Sequence, residues 1–276
     1  MQHNNMFNYK NYRYFKWAVV VILVAFAAYL LFEPAVGHYG GSWLGYGLGT
    51  ISALMVFWMA WYGVRKRRYR SSGNTQGWLS AHIYLGTALT VLVTLHTGFR
   101  FGLNIHTFAY GMLLIVVVSG FFGNYAYMIY PRLMTENMGE DSLDGLLLRI
   151  AETDKLARQI ALVMPDDINL TVDRACRETY IGTRLLEQLR GYQEDCPTEK
   201  AVKKLTVMGN DLSPEQRKLY RELYSIMVRR QTLVKRVRQE LMYRSRLGIW
   251  LYFHVPFAIA LITAMLVHII AVFLYW

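Results

Sequence analysis

Four histidines stand at the ends of two uncharged segments. Residues 82–96 read HIYLGTALTVLVTLH and residues 254–268 read HVPFAIALITAMLVH, with thirteen residues between the imidazoles in each. A fourteen-residue step on an α-helix rises about 21 Å and falls roughly 40° short of four full turns. His82 and His96 therefore share one helix face at two heights, and so do His254 and His268. Trp78 precedes His82 by four residues, in WLSAH, and Trp250 precedes His254 by four, in WLYFH. The two pairs thus match in depth. With the helices parallel and adjacent, His82 comes opposite His254 and His96 opposite His268. A haem iron takes one axial donor on each face of its plane, and neutral imidazole nitrogen serves well. The spacing predicts two bis-histidine haems stacked along the helices. An iron with both axial positions filled carries electrons and makes no bond to oxygen or substrate. Each level shows two histidines with no carboxylate or cysteine, below the ligand count of a non-haem metal site. No CxxCH is present, so the haems are expected to be non-covalent b haems.

Membrane helices must position these residues. The chain has 276 residues, 54% of them hydrophobic. Residues 17–32, 34–64, 71–99, 101–131 and 247–276 contain no Asp, Glu, Lys or Arg. A spanning helix needs about 20 mainly apolar residues, so spans are expected near 15–33, 43–63, 78–99, 106–130 and 249–275. The fold class expected is an all-α integral membrane protein, a five-helix transmembrane bundle with a mostly helical cytoplasmic insert. Residues 1–130 carry the first four helices, 131–248 the insert and 249–276 the fifth helix. No small-residue cleavage site follows the first helix, which is expected to be retained. A single His at membrane depth is ordinarily a satisfied polar residue of the bundle. Four in one register are costly there and point to function.

Basic residues set the orientation. Lys10, Arg13 and Lys16 precede the first helix, Arg65, Lys66, Arg67, Arg68 and Arg70 follow the second, and Arg236, Arg238, Arg244 and Arg246 precede the fifth. The N-terminus and 131–248 are predicted cytoplasmic, in a bacterial inner membrane. Much of the formal net charge of +11 is this topology signal, and attraction to the inner leaflet accounts for it without nucleic acid. Cys176 and Cys196 form no CxxC pair and read as ordinary reduced thiols.

The insert is rich in helix formers. DSLDGLLLRIAETDKLARQIALVM has apolar residues every three or four positions, Asp166 and Asp167 can open a helix through LLEQLR, and Ser213-Pro214-Glu215 reads as a helix start. From there one long helix is expected almost to the membrane, with Gly248 as a hinge and Pro256 as a kink. GxGxxG, P-loop and metal-type CxxC motifs are absent from the sequence, so the insert is expected to dock a partner rather than carry a cofactor.

The double H-x13-H pattern resembles the dihaem core of cytochrome b from quinol–cytochrome c oxidoreductases, and that of the ferric reductase and NADPH oxidase family. The resemblance implies bis-axial ligation of two b haems by His82, His96, His254 and His268. It covers the two ligand helices. The function expected is transmembrane electron transfer as the membrane subunit of a respiratory or redox complex. Its partners are lipid, an iron–sulfur, flavin or cytochrome c protein, and quinone as a candidate bound electron carrier. The alternatives are a ferric or oxygen reductase core fed by a separate donor subunit, and a non-haem scaffold or transport component.

Supporting residues carry open assignments. Arg100, four residues past His96, is placed to pair with a haem propionate or to snorkel at the interface. His106, in FGLNIHTFAYG, can replace His96 or His268 as ligand, bind a propionate, accept a quinol proton, or simply be a polar helix start. His38 reads as a loop surface residue and His3 as part of a tail. Gly86, Gly111, Gly120 and Gly123 give room for close helices or a flat macrocycle.

Overall fold

The computed structural model describes residues 7–68, 75–182, 185–209 and 212–274. His3 and Arg70 lie outside them. The helices are α1 (Arg13–Leu31), α2 (Trp43–Arg68), α3 (Thr75–Thr97), α4 (Ile105–Met138), α5 (Leu143–Ala161), α6 (Asp166–Glu178), α7 (Leu185–Arg190), α8 (Pro197–Met208) and α9 (Pro214–Leu274). No strand occurs among the described residues. Stretches of α1, α2, α3, α4 and α9 are long and apolar enough to cross a membrane. Helix is the form that lets such uncharged runs satisfy every backbone N–H and C=O within themselves. Their outward side chains include Trp17, Leu23, Leu30, Leu54, Phe121 and Phe273, an apolar exterior that suits lipid.

The chain divides into two compact units, one of residues 1–125 and 250–276, the other of residues 126–249. The expected boundaries were 131 and 248.

In the first unit α3 packs closely against α1 and α2, around Ala25, Leu44, Leu48, Leu92 and Leu95. A second core, of Val56, Leu89, Leu113 and Leu261, brings in α4 and α9. The connection after α3 turns through Gly98 and Phe99, both left-handed (φ 57° and 58°). Gly98 also lies against the His38 backbone, where a Cβ would collide. Gly123 on α4 lies flat against the Trp250 indole of α9, and a methyl group there would overlap the ring. Gly123→Ala is expected to cost about 1–3 kcal/mol, the usual range for overpacking. Gly111→Ala serves as the control, because its Cβ meets nothing within 4 Å. Thermal midpoints in detergent should fall for the first and hold for the second. Equal midpoints would refute the close contact.

In the second unit α5, α6, α8 and α9 enclose Ala157, Ile168, Val172, Leu205, Leu223 and Met227. Ser142 caps α5 by accepting the Gly145 N–H at 3.0 Å. At the start of α9, Ser213 and Gln216 exchange hydrogen bonds of 3.3 and 3.4 Å, a capping box that agrees with the helix start read in the sequence. Arg230 of α9 is 1% exposed. It donates to Asp154 of α5 and to Thr198 of α8. Cys176 and Cys196 are free thiols; burial first, then the Asp154 carboxylate, push the Cys176 thiol above its ordinary value.

Several expected ends move. α4 continues through Pro131 to Met138, where Arg236 donates to the carbonyls of Asn137 (2.9 Å) and Met138 (2.8 Å). Those are orphan acceptors of a helix terminus, and the guanidinium satisfies them where a proline-terminated helix would have none. α9 is assigned as one helix from Pro214 to Leu274, with Gly248 and Pro256 inside it. A helical glycine costs only about 1 kcal/mol, little against the apolar and helix-forming residues on both sides. α6 stops at Glu178 because Thr179 adopts an extended conformation, its hydroxyl donating to the Ala175 carbonyl and meeting Thr198 Oγ1 at 2.7 Å. LLEQLR is therefore a separate short helix.

Candidate functional site

The histidines of α3 and α9 stand at two levels, both within the first unit. At the lower level, His82 of α3 lies within electrostatic range of His254 of α9. His254 is held by α4. The Ser119 hydroxyl donates to the Val116 carbonyl at 2.8 Å, so it accepts from His254 Nδ1, also at 2.8 Å. That inferred tautomer leaves the Nε2 lone pair of His254 for a metal. The Trp250 ring stacks on His254 with centroids 5.1 Å apart, and its indole N–H donates to the Ser119 carbonyl at 2.6 Å. One serine thus fixes both side chains. The surrounding helix faces are slim: a Cβ on Gly120 would come to 3.7 Å from His254 Cε1, and one on Gly86 would meet only Met59 Sδ, at 3.7 Å. Trp78, the partner of Trp250 in the sequence alignment, stacks instead on Trp58 at 4.8 Å.

At the upper level there are three imidazoles. His96 of α3 donates Nδ1–H to the Gly45 carbonyl at 2.7 Å, which frees Nε2. Gly49 makes room for this ring, since a Cβ there would stand 2.8 Å from His96 Cε1. His268 of α9 lies 6.2 Å from His96 between ring centres. His106, from the first turn of α4, stands 5.2 Å from His96 and 4.8 Å from His268. Its Nδ1 is 3.4 Å from His268 Nε2. One ligand nitrogen from each of the three lies within 4.8 Å of the others. The two-per-level count expected from the sequence therefore does not hold here.

The donors can be tested against a haem. The lower level offers donors that could hold it: His82 and His254 on α3 and α9, an oriented Nε2 on His254, and Gly120 beside that ring. Trans axial imidazoles place their ring centres roughly 6 Å apart, with nitrogen about 2 Å from iron. At the upper level the His96–His268 separation of 6.2 Å matches that spacing, and the 5.2 and 4.8 Å separations to His106 do not. These three distances also put the His106 ring about 4 Å from the midpoint of the other two and level with it, where a macrocycle would spread. The upper level has a fitting axial pair, but its plane is blocked while His106 stays in place.

Arg100 is exposed and engaged with the loop before α2. It donates to the Val36 carbonyl at 3.2 Å and lies over the Tyr39 ring at 5.5 Å. His38 is half-buried, stacked on Tyr29 at 3.7 Å, rather than a surface residue. Arg244 pairs with Glu240 at 2.8 Å, and Arg246 donates to the Leu189 carbonyl at 3.2 Å. Ser119, Gly45 and Gly49 were not singled out from the sequence. Gly45 and Gly49 carry a readable signal, the repeat GYGLG at a helix spacing that clears one face. Ser119 carries none. In comparisons with known proteins, no family model, no curated protein and no solved structure matches this chain.

Proposed function

We propose that this chain is a multi-pass membrane protein that carries electrons between the two faces of a bilayer, with b haems held by His82 and His254 and by His96 and His268. The observation that carries the reading is the His96–His268 pair, 6.2 Å between ring centres, on the same two helices, α3 and α9, that carry His82 and His254. A haem bound at such a pair supplies one-electron chemistry. The chain's residues orient it: Ser119 fixes His254 and the Gly45 carbonyl fixes His96, and a haem at the upper level would require His106 to leave the place it holds there. The lower level faces the cytoplasm of a bacterial cell on the basic-residue rule. Donor and acceptor are an iron–sulfur, flavin or cytochrome c protein, or quinone, because the sequence holds no nucleotide motif of its own.

The test is purification of the full chain in mild detergent, a reduced-minus-oxidised spectrum and haem quantitation. A sharp reduced α-band and two non-covalent haems per chain are expected. A colourless protein purified from haem-replete cells would overturn the proposal.

A further inference from the structure

Three imidazoles converge at the upper level, and the proposed function uses only two. We propose that His96, His106 and His268 form a site for one late first-row transition-metal ion of the zinc and copper class, which while filled excludes a haem from that level. The three ligand nitrogens lie within 4.8 Å of one another, so some point is no more than about 2.8 Å from all three, against about 2.0–2.1 Å for a zinc–imidazole bond. Small side-chain movements close the difference. The donors come from three elements, α3, α4 and α9, that the fold holds in one unit. Their convergence is built by the left-handed turn at Gly98 and Phe99, which returns the chain so that His106 faces a residue ten positions behind it.

The donor set also selects its ligand. It is neutral and all nitrogen, which suits zinc, copper, nickel and iron over calcium, magnesium or manganese. His96 has the outer hydrogen bond that metal-bound imidazoles ordinarily make, Nδ1 to the Gly45 carbonyl at 2.7 Å. Three protein ligands leave a fourth position for water or a small anion. The site rests on the three-histidine geometry alone. Only the exclusion clause rests on the haem reading.

Zinc(II) is the probe. The full-length protein in detergent, stripped with a chelator, is titrated against a chromophoric competitor, and retained zinc is counted after gel filtration. One zinc per chain is expected. Loss of one ligand should weaken binding at least about 100-fold, since even outer-shell changes cost 10–100-fold. His96→Ala, His106→Ala and His268→Ala should show this loss, and His82→Ala and His254→Ala should not. Wild type that retains no zinc, or lower-level variants that weaken binding as much, would overturn the site. Should an upper-level variant fail to fold, X-ray absorption at the zinc edge of the wild type decides: three imidazole ligands support the site and fewer refute it. Haem is measured in the same samples. Haem without zinc binding removes this proposal and leaves electron transfer standing. Zinc binding without any haem does the reverse. A zinc-loaded protein that also holds two haems overturns the exclusion.

Discussion

His254→Ala is expected to remove about half of the haem from the purified protein, and His82→Ala to remove the same half. His96→Ala and His268→Ala should remove the other half, distinguished by its own α-band or midpoint potential. On the proposed assignment each variant would remove one of the two imidazoles that would hold a haem, and the remaining one would hold it far more weakly. Ser119→Ala is the graded companion. It deletes the acceptor of the His254 Nδ1 proton, 2.8 Å away, and outer-shell losses of this kind weaken metal binding about 10–100-fold. Spectra and haem counts of the five variants check the assignment. Loss of the same haem in His82→Ala and His268→Ala would show that the helices are not paired in parallel register.

The largest stability effect is expected at Arg230. Arg230→Met should destabilise the second unit by about 3 kcal/mol, the low end of the range for breaking a buried ion pair. The low end applies because the Asp154 side chain keeps 23% of its exposure while that of Arg230 keeps 2%. The substitution strands the Asp154 carboxylate and removes the donor to Thr198. The double variant Arg230→Met, Asp154→Leu should recover much of the loss, since replacing both charges by apolar groups is often neutral. Chemical unfolding followed by circular dichroism measures both. A single variant as stable as wild type would mean that the pair is not closed off from water.

The sequence shows these features unequally. The apolar helices are plain in it because uncharged runs of such length have few other uses, and the register of His82, His96, His254 and His268 follows from the helical repeat. The gathering of His106 with His96 and His268 depends on where a short connection turns. Two consecutive left-handed residues, one of them Phe99, are not readable from composition. Arg230 did leave a trace. Leu223, Met227, Val234 and Val237 form one stripe, all at most 2% exposed, and Arg230 occupies the vacant step between them. An arginine inside an apolar stripe signals a polar partner, here one that lies 76 residues away. Helix continuity through Pro131 was hidden because the stabilising contact, Arg236 on the final carbonyls, comes from a distant part of the chain.

The hydrogen bonds that hold His254 and His96 have a consequence for protons. In each ring Nδ1–H is given to a fixed acceptor, Ser119 Oγ or the Gly45 carbonyl. A ring that ferries protons must take one up at one nitrogen, release one at the other and often rotate in between. Neither ring can do this without breaking its anchor, and the Trp250 indole stacked on His254 further restricts rotation. The two imidazoles are held as stationary groups, so a proton relay through either ring would first have to break its anchor.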